Sequence, residues 1–122
     1  MTARGDVVTV LDGLQVVLDS GSSVSVTAYE SLPDQIQPYT AWTVWVSTTW
    51  LSRCVDESTW QVLLALAGGT SDAWLIADQI IGPVRDALSK VGGVMRCEPV
   101  LIPSGDGGAA VPALAFTLNA NR

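Results

Sequence analysis

The strongest pattern in this sequence is a stripe of apolar residues between Trp74 and Val91. Its members are spaced alternately three and four residues apart: Trp74, Ala77, Ile81, Val84, Leu88 and Val91. Because this spacing lines one face of an α-helix, it predicts a long helix with one face packed on a core. Any fold for this chain must therefore give that helix an apolar surface to cover.

The ends of this helix are marked by residues with known positional preferences. Ser71 stands where a capping residue would begin the helix, and Gly92 and Gly93 supply the stop. Pro83 lies inside the stretch. Because proline lacks an amide hydrogen and clashes with the preceding turn, it predicts a kink or a split after Ile80.

The rest of the chain reads as one more helix and several strands. Apolar residues at helical spacing predict a helix over residues 6–19, ended by Gly21, although Gly13 weakens the pattern. Alternating residues predict strands over 22–29, 41–48, 59–67, 94–102 and 111–119. Residues 30–38, with Pro33 and Pro38, predict a surface loop, and residues 49–58 predict a connection.

The order of these elements predicts an α+β fold rather than a parallel sheet. We expect one domain over residues 1–122, with a single mostly antiparallel sheet of four to five strands and two helices on one face. The last two strands form a hairpin whose loop, about residues 103–110, is glycine-rich and expected to be flexible. Pro99 and Pro112 predict edge positions or bulges in those strands.

Composition points to a chain that associates with partner subunits. Hydrophobic residues make up 48% and charged residues 15% of the 122 residues, and the mean hydropathy is +0.36. Because a small domain leaves much of its surface in water, these surplus apolar residues predict contacts with partner subunits. The net charge of -6 opposes binding to phosphate groups.

Catalytic and metal chemistry find little support in the residues present. The chain contains no histidine, which excludes Ser-His-Asp and Cys-His catalysis and histidine metal ligation. A small hydrolase or transferase that works through Ser, Asp or Cys54 remains an alternative of another class, without a recognisable nucleophile motif. We therefore expect no enzyme activity and no catalytic residue.

The glycine-rich segments and the cysteines favour structural roles over ligand binding. Residues 68–71 lack the lysine and the spacing of a phosphate-binding loop, and residues 105–108 carry a single carboxylate. Cys54 and Cys97 lack zinc-site spacing and are expected to be reduced, although a disulfide between them stays open. We expect no cofactor, no metal, no signal peptide and no membrane span.

Five tryptophans are many for a chain of 122 residues, and tryptophan is enriched in binding interfaces. Trp42, Trp60 and Trp74 fit core faces by periodicity. Trp45 falls on the otherwise polar side of its predicted strand and Trp50 in a connection. For these two we favour a role in an interface over a role in the core.

The order and style of the segments resemble a known protein family. The relevant segments are the proline-bearing loop LPDQIQPY at 32–39, the strand AWTVWV at 41–46, the strand WQVLLAL at 60–66, the helix IADQIIGPVRDAL at 76–88 and the final hairpin. Together they resemble the tail terminator and tail completion (neck) proteins of long-tailed phages, siphoviruses, especially those that infect actinobacteria. Pro83 and the tryptophan-rich middle depart from the family pattern.

This resemblance implies a structural virion protein of the tail and neck, assembled in the host cytoplasm. Copies would form a homo-oligomeric ring, a hexamer, that caps the tail tube and meets the head-side connector. Its partners would be the major tail tube protein and the connector or stopper protein, while genomic DNA crosses the lumen without sequence-specific binding. As a hypothesis, the interface residues are Ile36, Tyr39, Trp45, Trp50, Asp106 and Gly107.

Two other binding roles remain open at this point. The first is a head–tail stopper or adaptor in the same neck, which differs from a terminator in its position. The second is a host-directed binding protein, such as an inhibitor of a bacterial enzyme.

Overall fold

A computed structural model describes residues 3–50, 56–67, 70–103 and 110–121. The helices and strands are α1 (Ala3–Leu11), β1 (Gln15–Val17), β2 (Ser23–Ser25), β3 (Thr27–Tyr29), β4 (Thr40–Trp50), β5 (Asp56–Ala65), α2 (Thr70–Leu88), β6 (Gly93–Ile102) and β7 (Val111–Asn121). The fold is α+β, as predicted, with two helices and a mostly antiparallel five-stranded sheet in the order β3-β4-β5-β7-β6. A separate two-stranded sheet joins β1 and β2.

The core lies between the two helices and one face of the five-stranded sheet. On that face, Val62 of β5 lies opposite Phe116 of β7, and Leu64 lies opposite Leu114. These side chains share one buried cluster with Leu11 of α1 and with the inner side of α2. The opposite face of the sheet is covered by neither helix. Among the described residues, neither helix combines the length and apolar character needed to cross a membrane.

The first helix is shorter than the predicted helix over residues 6–19. It begins at Ala3 and ends at Leu11, after which the chain turns into β1. Gly13 adopts a φ of 82°, outside the helical region, and its N–H donates to the Val26 carbonyl. The prediction failed because the helical spacing of the valines continues past this glycine, where the backbone has already turned.

The predicted strand over residues 22–29 is divided between two sheets. Its alternation is confirmed, since Val26 and Ala28 are buried while Ser23, Ser25 and Thr27 are exposed. Strand β2 ends at Ser25, and Val26 separates it from β3; the Val26 N–H still donates to the Leu14 carbonyl, next to β1. The remaining residues form β3, which pairs in parallel with β4. Because a parallel partner requires a crossover, residues 30–39 form a connecting loop, in agreement with the predicted loop over 30–38.

The outer edge of β3 is closed by a side chain. The Ala28 N–H donates to Asp12 Oδ1 at 3.1 Å, which satisfies a backbone group that faces away from β4. An edge strand capped in this way offers little to a further strand. At the other side of the sheet, β6 is the edge strand, and the predicted edge position of Pro99 is confirmed.

One face of β4 packs against the helices, and the pairing of β4 with β5 identifies which face this is. Ala41 and Thr43 lie opposite Leu64 and Val62, which belong to the core cluster. Trp42 is buried, which confirms its predicted core position, but it lies on the other face of the sheet, outside the cluster that the helices cover. Alternation separates the residues into two sets without indicating which set the helices cover.

The connection after β4 is shorter than predicted. Strands β4 and β5 both extend into the predicted connection, and Trp50, the last residue of β4, pairs with Asp56, the first residue of β5. The predicted connection over residues 49–58 therefore contains strand residues at both of its ends. Residues 51–55, with Cys54, lie outside the described part of the chain. The predicted strand over 59–67 is confirmed as far as Ala65, and Val62, Leu64 and the following Leu66 are buried.

Helix α2 is continuous from Thr70 to Leu88. Ser71 lies within its first turn rather than at a cap before it, and no split follows Ile80. Pro83 is exposed. The buried stripe is rotated slightly from the predicted one: Ala73 and Ile80 are fully buried, whereas Trp74 and Ile81 are half-buried. The helix ends before a turn at residues 89–92, and Gly93 already belongs to β6.

The final hairpin agrees with the prediction. Strands β6 and β7 are antiparallel, and Leu114, Phe116 and Leu118 form the buried inward face of β7. The irregularity in β6 falls between Val94 and Arg96 rather than at Pro99. Pro112 lies in the interior strand β7, so its predicted edge position or bulge is wrong. Its carbonyl accepts from the Leu66 N–H, just beyond the last paired residues of β5 and β7.

Candidate assembly surfaces

One predicted interface residue, Ile36, lies at the end of the sheet where the final hairpin begins. It lines a shallow cleft of 230 Å³ together with Pro38, Leu66, Ala110 and Pro112. The loop before β4 thus meets the base of the predicted hairpin. Asp106 and Gly107, predicted for the loop of that hairpin, lie outside the described residues.

Tyr39 connects strands through its backbone. Its N–H donates to the Ala65 carbonyl at 2.8 Å, and its carbonyl accepts from the Thr27 N–H at 3.1 Å. Its φ of 60° lies in the left-handed region, which is uncommon for a residue other than glycine. The side chain is half-buried and packs against the core. The position therefore has a clear structural role, and its interface role stays a prediction.

The two tryptophans predicted in an interface are placed by their backbones. Trp45 pairs with Trp60 of β5, one residue before a register shift in β4. Trp50 pairs with Asp56 at the far end of the same ladder. Both side chains lie outside what the structure describes, so their roles stay predictions.

The face of the sheet opposite the helices is apolar near β4. Val44 is 38% exposed and Val46 is 49% exposed, while Trp42 beside them is buried. On the same face, the Thr117 side chain is buried, and its Oγ1 has no hydrogen-bond partner in the described part of the chain. Val44 and Val46 were not among the residues predicted for the interface.

A second surface lies between α2 and the edge strand β6. It is a cleft of 320 Å³ lined by Ile81, Arg85, Val94, Met95, Arg96, Cys97 and Phe116. Its floor is apolar, and two guanidinium groups stand at its rim. Each has a neighbouring carboxylate: Arg96 Nη2 lies 3.0 Å from Glu98 Oε1, and Arg85 Nη2 lies 3.6 Å from Asp86 Oδ1. The four side chains are between 44% and 76% exposed, so these ion pairs contribute little to stability.

The thiol of Cys97 faces this cleft. Burial, followed by the negative charge of Glu98, raises the pKa of Cys97 from 9.0 to about 11. Both causes disfavour the thiolate, which is the reactive form. The residue is therefore suited to packing rather than to nucleophilic chemistry. Cys54 lies outside the described residues.

We expect Cys97 to be unreactive in the folded protein. In a Cys54→Ser variant at pH 8, alkylation by iodoacetamide should be roughly a hundredfold slower than in the denatured chain, since two pKa units reduce the thiolate fraction by that factor. The rate should keep rising with pH until about pH 11, and Glu98→Gln should increase it. Equal rates in the native and denatured chains would contradict the burial of this thiol.

A further apolar groove lies along the same edge, near the start of α2. Trp74, Pro99, Val100 and Leu101 line a volume of 470 Å³. Leu101 is 58% exposed, and Leu75 of α2 is 68% exposed. The β6 side of the molecule therefore carries two open apolar surfaces. Leu101 and Met95 were not singled out from the sequence, because an exposed apolar residue on an edge strand has the same alternation as a buried one.

The described residues contain no group of three or more Cys, Asp or Glu side chains that could hold a metal ion. What the structure does bring together is exposed apolar side chains, at Val44 and Val46 on the sheet face opposite the helices and along the β6 edge. The sequence matches no model of a known protein family and no curated protein.

Proposed function

We propose that this protein is a structural subunit of a phage tail, a tail terminator whose copies form a ring at the end of the tail tube. The observation that carries the proposal is the exposed pair Val44 and Val46 on the face of the five-stranded sheet opposite the helices. Neighbouring exposed apolar side chains on a sheet face are typical of a surface that a partner buries.

The distribution of apolar surface supports an assembly with several neighbours. Exposed large apolar side chains occur on β4, on the loop after β3 and on the opposite edge strand β6. A subunit in a ring needs contact surfaces on two opposite sides, and a ring that caps a tube needs a third. The resemblance of the sequence to tail terminators supplies the identity of this assembly. The net charge of -6 fits a lumen through which DNA passes without binding.

The proposal predicts a ring in solution or at the end of a tube. Native mass spectrometry of the purified chain should show a closed oligomer of about 77 kDa, the mass of six 12.8 kDa copies. The same protein should co-sediment with tail tubes assembled from the major tail tube protein. Trp50→Ala should weaken this assembly and leave the circular dichroism spectrum of the monomer unchanged.

A second experiment distinguishes a tail terminator from a stopper or adaptor. Cryo-electron microscopy of a virion that contains a labelled copy should place the label on the tube end. A label on the connector side would favour the stopper or adaptor role. A monomer at high concentration that binds neither tube nor connector would contradict both roles.

A further inference from the structure

We propose that Pro99 blocks the open edge of β6 and so prevents this strand from pairing with β6 of a second copy. With this edge blocked, the five-stranded sheet ends at β6 instead of continuing into a neighbouring copy. The role is independent of the proposed function, because such an edge is blocked in a monomer and in a ring alike. Copies that assemble therefore meet through their side chains.

Strand β6 is the edge at which strand addition would otherwise be expected. It covers the ten residues Gly93–Ile102 and has a neighbour on one side only among the described strands. Met95 and Leu101 are 57% and 58% exposed. A long edge strand with exposed apolar side chains is a template for pairing with another chain. The opposite edge offers no such template, since β3 has three residues and the Ala28 N–H is bound to Asp12.

Two hydrogen bonds on the β5 side of the sheet show which residues of β6 direct their backbone groups outward. The Leu66 N–H donates to the Pro112 carbonyl at 2.9 Å, so the backbone of Pro112 faces β5. The β6 residue opposite Pro112 is Leu101. Because bonded and non-bonded pairs alternate in an antiparallel ladder, Leu101 directs its N–H and carbonyl away from β7. The Ala65 carbonyl accepts from the Tyr39 N–H, on the side of β5 away from β7, which gives the same alternation.

Pro99 occupies an outward position of the same kind. It lies two residues before Leu101, with no register shift between them, so its backbone also faces away from β7. Its missing amide hydrogen therefore costs the sheet no ladder bond and is lacking only at the open edge. A strand added there would meet the proline ring in place of an N–H, between the outward amides of Cys97 and Leu101.

An irregularity near the start of β6 shortens the edge that is left. The register of β6 against β7 shifts between Val94 and Arg96, and such a bulge bends and twists the strand. The regular part of the open edge is thus limited to residues 96–102, with Pro99 at its centre. Two copies related by a two-fold axis would each bring this proline into the contact, so the loss of a hydrogen bond would occur twice.

Replacing the proline should open the edge. Pro99→Thr supplies an outward N–H and a residue with high β-propensity. It should raise the association constant of the chain at least about tenfold, because a two-fold contact regains a hydrogen bond in each copy. Analytical ultracentrifugation at several concentrations measures the association. Val100→Thr is the matched control: the same residue enters the next position, whose N–H already faces β7, and association should stay that of the wild type.

Moving the proline along the same edge should reverse the effect. In the double variant Pro99→Thr with Leu101→Pro, an amide is again missing at an outward position, and association should fall back to the wild-type value. The fold should be retained, because the N–H at position 101 donates no bond to β7. Thermal unfolding of all three variants at low concentration checks the fold.

Hydrogen exchange of individual amides, followed by NMR, tests the same edge in the unchanged protein. The outward amides of Cys97 and Leu101 should exchange rapidly at every protein concentration. Those of Glu98 and Val100, which face β7, should be protected. In Pro99→Thr the two outward amides should become protected as the protein concentration rises.

The outcomes distinguish this role from the ring. Equal association of the wild type and Pro99→Thr would overturn the edge-blocking role and leave the tail-terminator proposal standing. Unchanged association after the proline is moved to position 101 would also overturn it. Concentration-dependent protection of the Cys97 and Leu101 amides in the wild type would do the same, because β6 would then be an interface. A wild type that stays monomeric while Pro99→Thr associates supports the edge-blocking role and overturns the ring.

Discussion

Replacing Phe116 with alanine should destabilise the protein more than other single truncations in the sheet, by about 3–5 kcal/mol. Phe116 is fully buried in the interior strand β7, between Val62 of β5 and Cys97 of β6. Its ring joins the floor of the β6 cleft to the core under the helices. Because the neighbouring strands are held in place by hydrogen bonds, they cannot collapse into the resulting cavity.

Urea denaturation followed by tryptophan fluorescence measures this loss. A natural domain has a stability of about 5–15 kcal/mol, so the variant should unfold at a much lower urea concentration or fail to fold. Leu101→Ala is the control: this residue lies on the adjacent edge strand and is 58% exposed, and its truncation should change stability by less than about 0.5 kcal/mol. Similar midpoints for the two variants would contradict the arrangement of the sheet. Several protein concentrations are required, since assembly adds to apparent stability.

Ile80→Ala and Ile81→Ala should differ in stability although they are adjacent and chemically identical. Ile80 lies on the buried side of α2 and is fully buried, so its truncation should lower the free energy of unfolding by about 2–5 kcal/mol. Ile81 is half-buried beside the β6 cleft, and its truncation should cost about 1 kcal/mol. Both changes raise the helix propensity equally, so the difference between them reports burial alone.

The same denaturation experiment measures this pair at a concentration low enough to keep the chain monomeric. If both variants lost the same free energy of unfolding, or if Ile81→Ala lost more, the result would favour the buried stripe predicted from the sequence, which runs through Trp74 and Ile81. The structure instead centres the buried side of α2 on Ala73, Ala77, Ile80 and Val84. The apolar stripe of a surface helix covers a broad face, so the spacing of its residues does not fix which of two adjacent positions lies at its centre.

The candidate surfaces could be predicted only in part. The sequence indicated surplus apolar residues and a proline-bearing loop at residues 30–38, and the structure places Leu32 and Ile36 in that loop. Nothing in the spacing indicated that Arg85 and Arg96 line one cleft, since eleven positions and a turn separate them. The roles of Trp45 and Trp50 remain predictions.

Local patterns determined most of the elements of this protein. Alternation and helical spacing are properties of neighbouring residues, so they identified α2, β4, β5, β6 and β7 and the α+β class from the sequence by itself. Only the tertiary structure decided which face of β4 the helices cover, where α1 ends and how residues 22–29 divide between two sheets. These features depend on hydrogen bonds between distant residues, such as those from Gly13 to Val26 and from Ala28 to Asp12. A strand has two faces and a glycine permits several turns, so the choice belongs to the partners that the folded chain brings together.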